Sequence, residues 1–247
     1  MTTWKDARRW VTDSRTLSDD IMDTQLLTIQ FSNEIRFKDI PLLRGGFIQM
    51  MEREAGNVNL LFHNHVKDGF RWSYPLVQYK EIDGKAAVVC IGEGIEAIKE
   101  FFSTTNRMWS LHGKEQVLQI QDVRMSSFDL ETVTEPVRCR IRHWIPLNSA
   151  NYNKYIQTES LAERIGLLEN ILSANILSMA KGLGKRIESK VACSITDLSE
   201  PELIESKSVK MMTFDAGFKT NVPLPQYIGL GKHASIGYGM IIYPYSI

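Results

Sequence analysis

At 247 residues, with 43% hydrophobic and 23% charged side chains, the chain is long enough to bury a core as one large domain or two small ones, and too apolar for disorder. Its 29 basic residues match its 29 acidic ones, so net charge alone argues for no partner. Three separated cysteines, Cys90, Cys139 and Cys193, give neither a C-x-x-C pair nor an even disulfide framework and read as buried thiols in a reducing compartment.

The opening residues, MTTWKDARRWVTDSR, lack the apolar run of a signal peptide, and no stretch of about 18 apolar residues follows. We therefore expect a cytoplasmic protein without a membrane span. Met1 to Asp23 is polar, with Trp4, Trp10 and Val11 as anchors, and fits a short surface helix. Thr24 to Phe31 (TQLLTIQF) is β-rich and predicts a strand. Asp39 offers a helix N-cap with Pro41 in the first turn, and Leu43, Phe47 and Met50 recur at helical spacing up to Gly56. Gly45 and Gly46 inside that helix cost about 1 kcal/mol each relative to Ala, so either the helix is short or something packs close to it. Next come LLFHNHV (Leu60 to Val66) and YPLVQYKEIDGKAAVVCI (Tyr74 to Ile91), with Asp83-Gly84 as a hairpin turn. A helix carrying Ile95, Ile98, Phe101 and Phe102 and a strand from Gln116 to Val123 complete the order β, α, β, β, α, β of a ferredoxin-like fold.

From Pro136 the order restarts. PVRCRIRHWI (Pro136 to Ile145) alternates as a strand, and Ser160 to Gly184 reads as an amphipathic helix opened by the capping box Ser160/Glu163. Leu161, Ile165, Leu168, Leu172 and Met179 fall on one side of it. Arg186 to Ile195 and Ser206 to Phe218 follow as strands, and a glycine-rich segment stands where the first half has its second helix and last strand. We expect an α+β protein of two tandem ferredoxin-like (βαββαβ) domains, residues 1–125 and 126–247, joined near Ser126 to Glu135.

Four stretches carry chemistry. Gly92, Gly94 and Ala97 spell G-x-G-x-x-A, the fingerprint of nicotinamide-binding dehydrogenases. Glu93 would set a carboxylate where a pyrophosphate must sit, and the motif follows a hairpin, so a strand-to-helix turn is the better reading. In YIGLGKHASIGYGMI (Tyr227 to Ile241), Gln226 and His233 stand where a P-loop needs Gly and Ser or Thr. Gly229, Gly231, Gly237 and Gly239 instead leave main-chain N–H groups open to a polyanion, with Lys232 and Ser235 adding a charge and a hydroxyl. A single tight turn would use one G-x-G pair, not two around a polar centre. Arg138, Arg140 and Arg142 share one strand face, Cys139, Ile141, His143 and Ile145 the other. Three like charges suit a phosphate backbone or a solvated strand, and Trp144 is placed to stack on a base. Lys181, Lys185, Arg186 and Lys190 form a second basic cluster, part of which helix-dipole compensation accounts for. His63 and His65 point the same way if LLFHNHV is extended. With Asp68 the only close carboxylate the ligand count falls short of a zinc site, whereas two histidines with Lys67, Arg71 and Tyr74 suit acid/base chemistry without metal. A polar loop holding one histidine for structural reasons is the plain alternative.

Through LFHNHVKDGFRWSYPLVQYKEIDGKAAVVCIGEGIEAI (Leu61 to Ile98) and FKTNVPLPQYIGLGKHASIGYGMI (Phe218 to Ile241), the chain resembles the CRISPR repeat-processing endoribonucleases, RAMP-type proteins that cut precursor CRISPR RNA within its repeats. The glycine-rich loop is the most specific mark. The likeness is to the branch with an active-site histidine just after the first helix, where His63 and His65 stand. The resemblance implies a cut without metal or cofactor, in which the RNA 2′-OH attacks phosphorus and a 2′,3′-cyclic phosphate and a 5′-OH result. His65 would be general base or acid, His63 its partner, and Tyr74 or Lys67 a helper, with the choice between the two histidines open. RNA contacts would come from Arg138, Arg140, Arg142, Lys185, Arg186, Lys232 and the glycine segment. Repeat RNA is the implied partner, and the family also admits other CRISPR effector subunits or a second copy of the chain. A RAMP-type subunit that binds guide RNA without cutting is the alternative.

Overall fold

The structure is a computed structural model that describes residues 23–55, 65–66, 69–70, 74–206 and 209–243. The surface helix expected over the opening residues lies outside the described residues.

The first half is built on β1 (Thr24–Glu34), a strand buried on both faces because its alternate positions are both apolar: Leu27, Ile29 and Phe31 on one side, Leu26 on the other. A 3-10 turn (Phe37–Asp39) leads into α1 (Ile40–Ala55). β2 (His65–Val66) and β3 (Gly69–Phe70) make a small ribbon. β4 (Val77–Ile82) and β5 (Lys85–Ile91) form the expected hairpin, its turn using positive φ at Asp83 (51°) and Gly84 (78°). α2 (Glu93–Thr104) starts at Gly92, so the G-x-G-x-x-A stretch is a strand-to-helix turn. α1 and α2 meet on one face of the sheet, where Phe47 stacks on Phe101 at 4.3 Å. Gly46 resolves the puzzle of glycine within α1, since a Cβ there would stand 3.0 Å from Trp109 Cε3.

The strand expected from Gln116 to Val123 is two strands. β6 (Met108–Leu111) and β7 (Lys114–Val117) form a hairpin, and β8 (Ile120–Phe128) then joins the sheet. Between them Leu118 is fully buried and its N–H donates to the Arg107 carbonyl at 2.9 Å, which turns the chain. The sheet order is β4-β5-β1-β8, antiparallel throughout, the ferredoxin-like arrangement.

The second half repeats it with β9 (Val137–Trp144), α3 (Ser149–Gln157), α4 (Leu161–Gly182), β10 (Cys193–Leu198), β11 (Glu202–Ser206), β12 (Val209–Thr220) and β13 (Met240–Ile242). The path β10-β12-β9-β13 matches the first sheet strand for strand, with β11 added beside β12. Ser160 caps α4 by accepting from the Glu163 N–H at 3.4 Å; Leu168, Leu172 and Met179 are buried, while Leu161 points out, 65% exposed. The strand expected from Arg186 begins only at Cys193. Asn221 accounts for this: its side chain accepts from Ala192 N–H at 2.8 Å and donates to the Lys190 carbonyl at 2.9 Å, which replaces ladder bonds over that stretch. Cys90 and Cys139 are buried and Cys193 half-buried. The glycine-rich segment takes the place of the second helix, and β13 is the closing strand.

The two units share a core. Leu26, Val89 and Ile91 on the second face of the first sheet belong to the same apolar cluster as Trp144, Leu168, Ile176 and Phe214 of the second half. Among the described residues, no helix is long and apolar enough to cross a membrane.

Candidate functional site

Three regions that lie far apart in sequence meet at Tyr74. Its hydroxyl donates to the Gly229 carbonyl at 2.8 Å, which ties it to the glycine-rich segment. Its backbone and Cβ rest on Gly182 at the C-terminal end of α4, where a Cβ would collide with them. Upstream of it lies the β2/β3 ribbon, in which His65 is paired with Phe70 and Val66 with Gly69. Tyr74, which follows that segment in the chain, is thus held between the basic end of α4 and the glycine loop. Tyr74 itself, expected as a helper in catalysis, serves here as the anchor: a carbonyl holds its proton, and burial pushes the phenol above its ordinary value. His63, Lys67 and Arg71 lie outside the described residues, and of His65 only the backbone is described.

The strand that follows Tyr74 receives the glycine segment. β4 is an edge strand, and its open side is closed when Tyr79 N–H donates to the Ser235 carbonyl at 2.8 Å, pairing Tyr79 with Ile236. Gln78 accepts from Gly229 N–H at 2.8 Å. Lys80, wholly buried, donates from Nζ to the Ala234 carbonyl at 3.0 Å, and burial lowers its amine to about 7. Gln78 and Lys80 were missed from sequence, because strand residues next to a hairpin carry no local mark of a partner about 150 positions away.

The space left by the glycines is filled by protein. A Cβ at Gly229 would lie 2.9 Å from Lys80 Nζ, one at Gly237 2.5 Å from Ile40 Cδ1, and one at Gly239 would collide with the Leu230 carbonyl. Gly231 is exposed, yet a Cβ on it would lie 3.0 Å from Asn175 Oδ1. Gly231, Gly237 and Gly239 all have positive φ. Ser235 is buried, and its carbonyl joins the two halves. Lys232 remains at the surface, where Nζ donates to the Leu147 carbonyl at 2.8 Å and partial burial lowers its basicity. The expected room for a polyanion is therefore occupied at most of these positions.

The arginine face is real but not uniform. Cys139 and Ile141 are buried, Arg138 is exposed, and Arg140 and Arg142 are half-buried. Arg140 is not a bare charge, since Nη1 pairs with Asp197 Oδ1 at 2.9 Å across Gly217, whose missing side chain lets the carboxylate through. Lys219, in register with Arg138 on β12, adds a cation that sequence reading overlooked; only the strand pairing reveals it. Arg186 pairs with Glu188 at 3.2 Å, both exposed, and Lys185 follows the end of α4, its N–H donating to the Ala180 carbonyl at 2.9 Å. Trp144 cannot stack on a base: it is wholly buried and its Nε1 donates to Asn175 at 3.0 Å. A β-bulge at His143, φ 50°, shifts the alternation by one, so Trp144 turns into the core and His143 out of it.

Comparison with known proteins agrees with this architecture. The family model of the Cas6b N-terminal domain matches residues 22–129, and that of the Cas6b C-terminal domain matches residues 131–243. A solved structure described as Cas6b superimposes with a TM-score of 0.80 at 26% identity, over 90% of this chain and 99% of the other. Another, described as the CRISPR RNA processing endoribonuclease Cas6b, gives 0.66 at 24% identity, over 90% and 99%. An uncharacterized protein of Methanocaldococcus jannaschii is 35% identical over 102 residues, 41% of this chain and 68% of that one.

Proposed function

From the membership of this chain in the Cas6b family, we propose that it is a metal-independent endoribonuclease that cuts precursor CRISPR RNA within its repeats. The observation that carries the reading is the packing of Tyr74, which follows the histidine-bearing segment in the chain, between the basic end of α4 and the glycine segment. A solved protein of the same fold, described as a CRISPR RNA processing endoribonuclease, supports that reading.

In the proposed reaction a histidine of the His63/His65 pair takes the proton of the RNA 2′-OH as the 2′-oxygen bonds to phosphorus. The P–O5′ bond breaks, and the partner histidine or Lys67 gives a proton to the departing 5′-oxygen. The products are a 2′,3′-cyclic phosphate and a 5′-OH. A histidine near its free pKa of about 6.5 serves either role at neutral pH. Cations stabilise the negative charge on the phosphorane, and Lys181, Lys185 and Arg186 stand at the end of α4 against which Tyr74 packs. The first domain, 1–125, supplies the chemistry and the second, 126–247, supplies contacts to RNA; other CRISPR effector subunits or a second copy are the protein partners this reading allows, within the cytoplasm.

The test is incubation of the protein with repeat RNA from its own genome. His63→Ala/His65→Ala should slow cleavage by about 10²-fold or more, EDTA should leave it intact, and a 2′-deoxy nucleotide at the cut should block it. Full cleavage by the double variant refutes the active site. Tight binding without any cut would make the chain a guide-RNA-binding subunit.

A further inference from the structure

We propose that four half-buried rings at the junction of the two halves, His143, Phe37, Tyr238 and His233, form a platform on which unpaired RNA bases stack, a binding subsite built from residues other than those proposed for the chemistry. This rests on the ribonuclease reading and extends it from chemistry to recognition.

The rings form a connected row. His143 stacks on Phe37 with centroids 3.9 Å apart and planes at 29°. Tyr238 meets Phe37 edge-on at 5.0 Å and 77°, and His233 lies 5.7 Å from Tyr238. They come from three elements: the turn before α1, strand β9 and the glycine segment.

The backbone is held in unfavourable conformations to present them. Strict alternation along β9 would bury His143, but the bulge turns it outward, and φ is 50° at His143 and 58° at His233. The bulge is fixed from both sides: Asp215 Oδ1 accepts from His143 N–H at 2.7 Å, and Gly239 N–H donates to the His143 carbonyl at 3.1 Å. Backbone strain of this kind, kept in place by contacts on both sides, clusters at binding sites as well as at turns. Two imidazoles, a phenol and a phenyl offer flat faces that aliphatic side chains do not. Burial also lowers the His143 pKa, against the opposing pull of Asp215, which favours the uncharged ring. Arg142 precedes His143 and the exposed Lys232 precedes His233 in the chain, so the segments that carry the rings also carry cations. Aromatic faces interleaved with cations are what single-stranded RNA binds, with every base able to stack.

The experiment measures affinity for repeat RNA carrying an abasic nucleotide at each position in turn, with wild-type protein, His143→Asn, Tyr238→Leu and Tyr238→Phe. Asn tolerates positive φ and lacks an aromatic ring, so it removes stacking without straining the bulge. In the wild type, one or two abasic positions should cost about 10-fold in affinity. His143→Asn and Tyr238→Leu should lose about as much on intact RNA and lose nothing further at those positions, while Tyr238→Phe behaves as wild type. Unchanged affinity in both ring-deleting variants, or an abasic penalty undiminished in them, overturns the platform even when cleavage of repeat RNA is confirmed. If wild type binds no repeat RNA, the ribonuclease reading fails and the platform with it. If thermal melting shows His143→Asn unfolded, Tyr238→Leu against Tyr238→Phe decides.

Discussion

The two halves share one strand order and part company after their third strand. After β5 the first half runs into α2, whose Ile95, Ile98 and Phe101 pack on their own sheet and whose backbone bonds are made within the helix. After β12 the second half has the glycine-rich segment, whose backbone groups find partners in the other half: Gln78, Tyr79, Lys80 and Tyr74. The second faces of the sheets differ as well. That of the first is buried through Leu26, Val89 and Ile91, while that of the second displays Arg138, Arg140 and Lys219. Replacing a self-sufficient helix by bare backbone turns a ferredoxin-like unit into one that must dock.

Breaking the docking segment should have the largest effect. Gly239→Ala places a Cβ at φ 63° against the Leu230 carbonyl, and chemical denaturation should show a loss of about 3 kcal/mol or more. A second prediction concerns pH. Lys80 titrates at about 7 in the folded protein against 10.5 unperturbed, so between these values the unfolded chain holds a proton that the folded chain has released. Stability should therefore rise with pH across that window, at up to about 1.4 kcal/mol per unit, with the full burial penalty present below pH 7. Lys80→Met should flatten the rise; an unchanged slope in urea titrations from pH 7 to 10 would show that the amine is not buried at the joint.

The open face gives a smaller effect. Arg138→Ala should weaken binding of repeat RNA a few-fold and lower the salt slope by about 1, and a salt dependence identical to wild type would remove that face from the interface. At the small end stands Gly45→Ala, at a helix position in the first half where nothing lies within 4 Å of a Cβ. There the same substitution type that disrupts Gly239 should stabilise by about 1 kcal/mol, read as a rise in melting temperature.

Much of the fold was legible because it is written in local patterns. The β-rich run TQLLTIQF, the Asp83-Gly84 turn, the Gly92 start of a helix and the Ser160 cap each depend on neighbours a few positions away. The order βαββαβ, read twice, then constrains the topology. Errors fell where a single residue overrides the pattern: Leu118 dividing β7 from β8, Asn221 holding residues before β10 out of the sheet, and the bulge that exchanges His143 and Trp144.

By itself, then, the sequence determined two ferredoxin-like units and most of the strands of their sheets, since side-chain periodicity records which face of an element is buried. Only the tertiary structure decided that the glycines receive protein atoms, that Asp197 neutralises Arg140, that Tyr74 is an anchor, and that Lys80 lies buried between the halves. Those outcomes depend on how two distant stretches come together, and burial and charge pairing at a joint are properties of both surfaces at once.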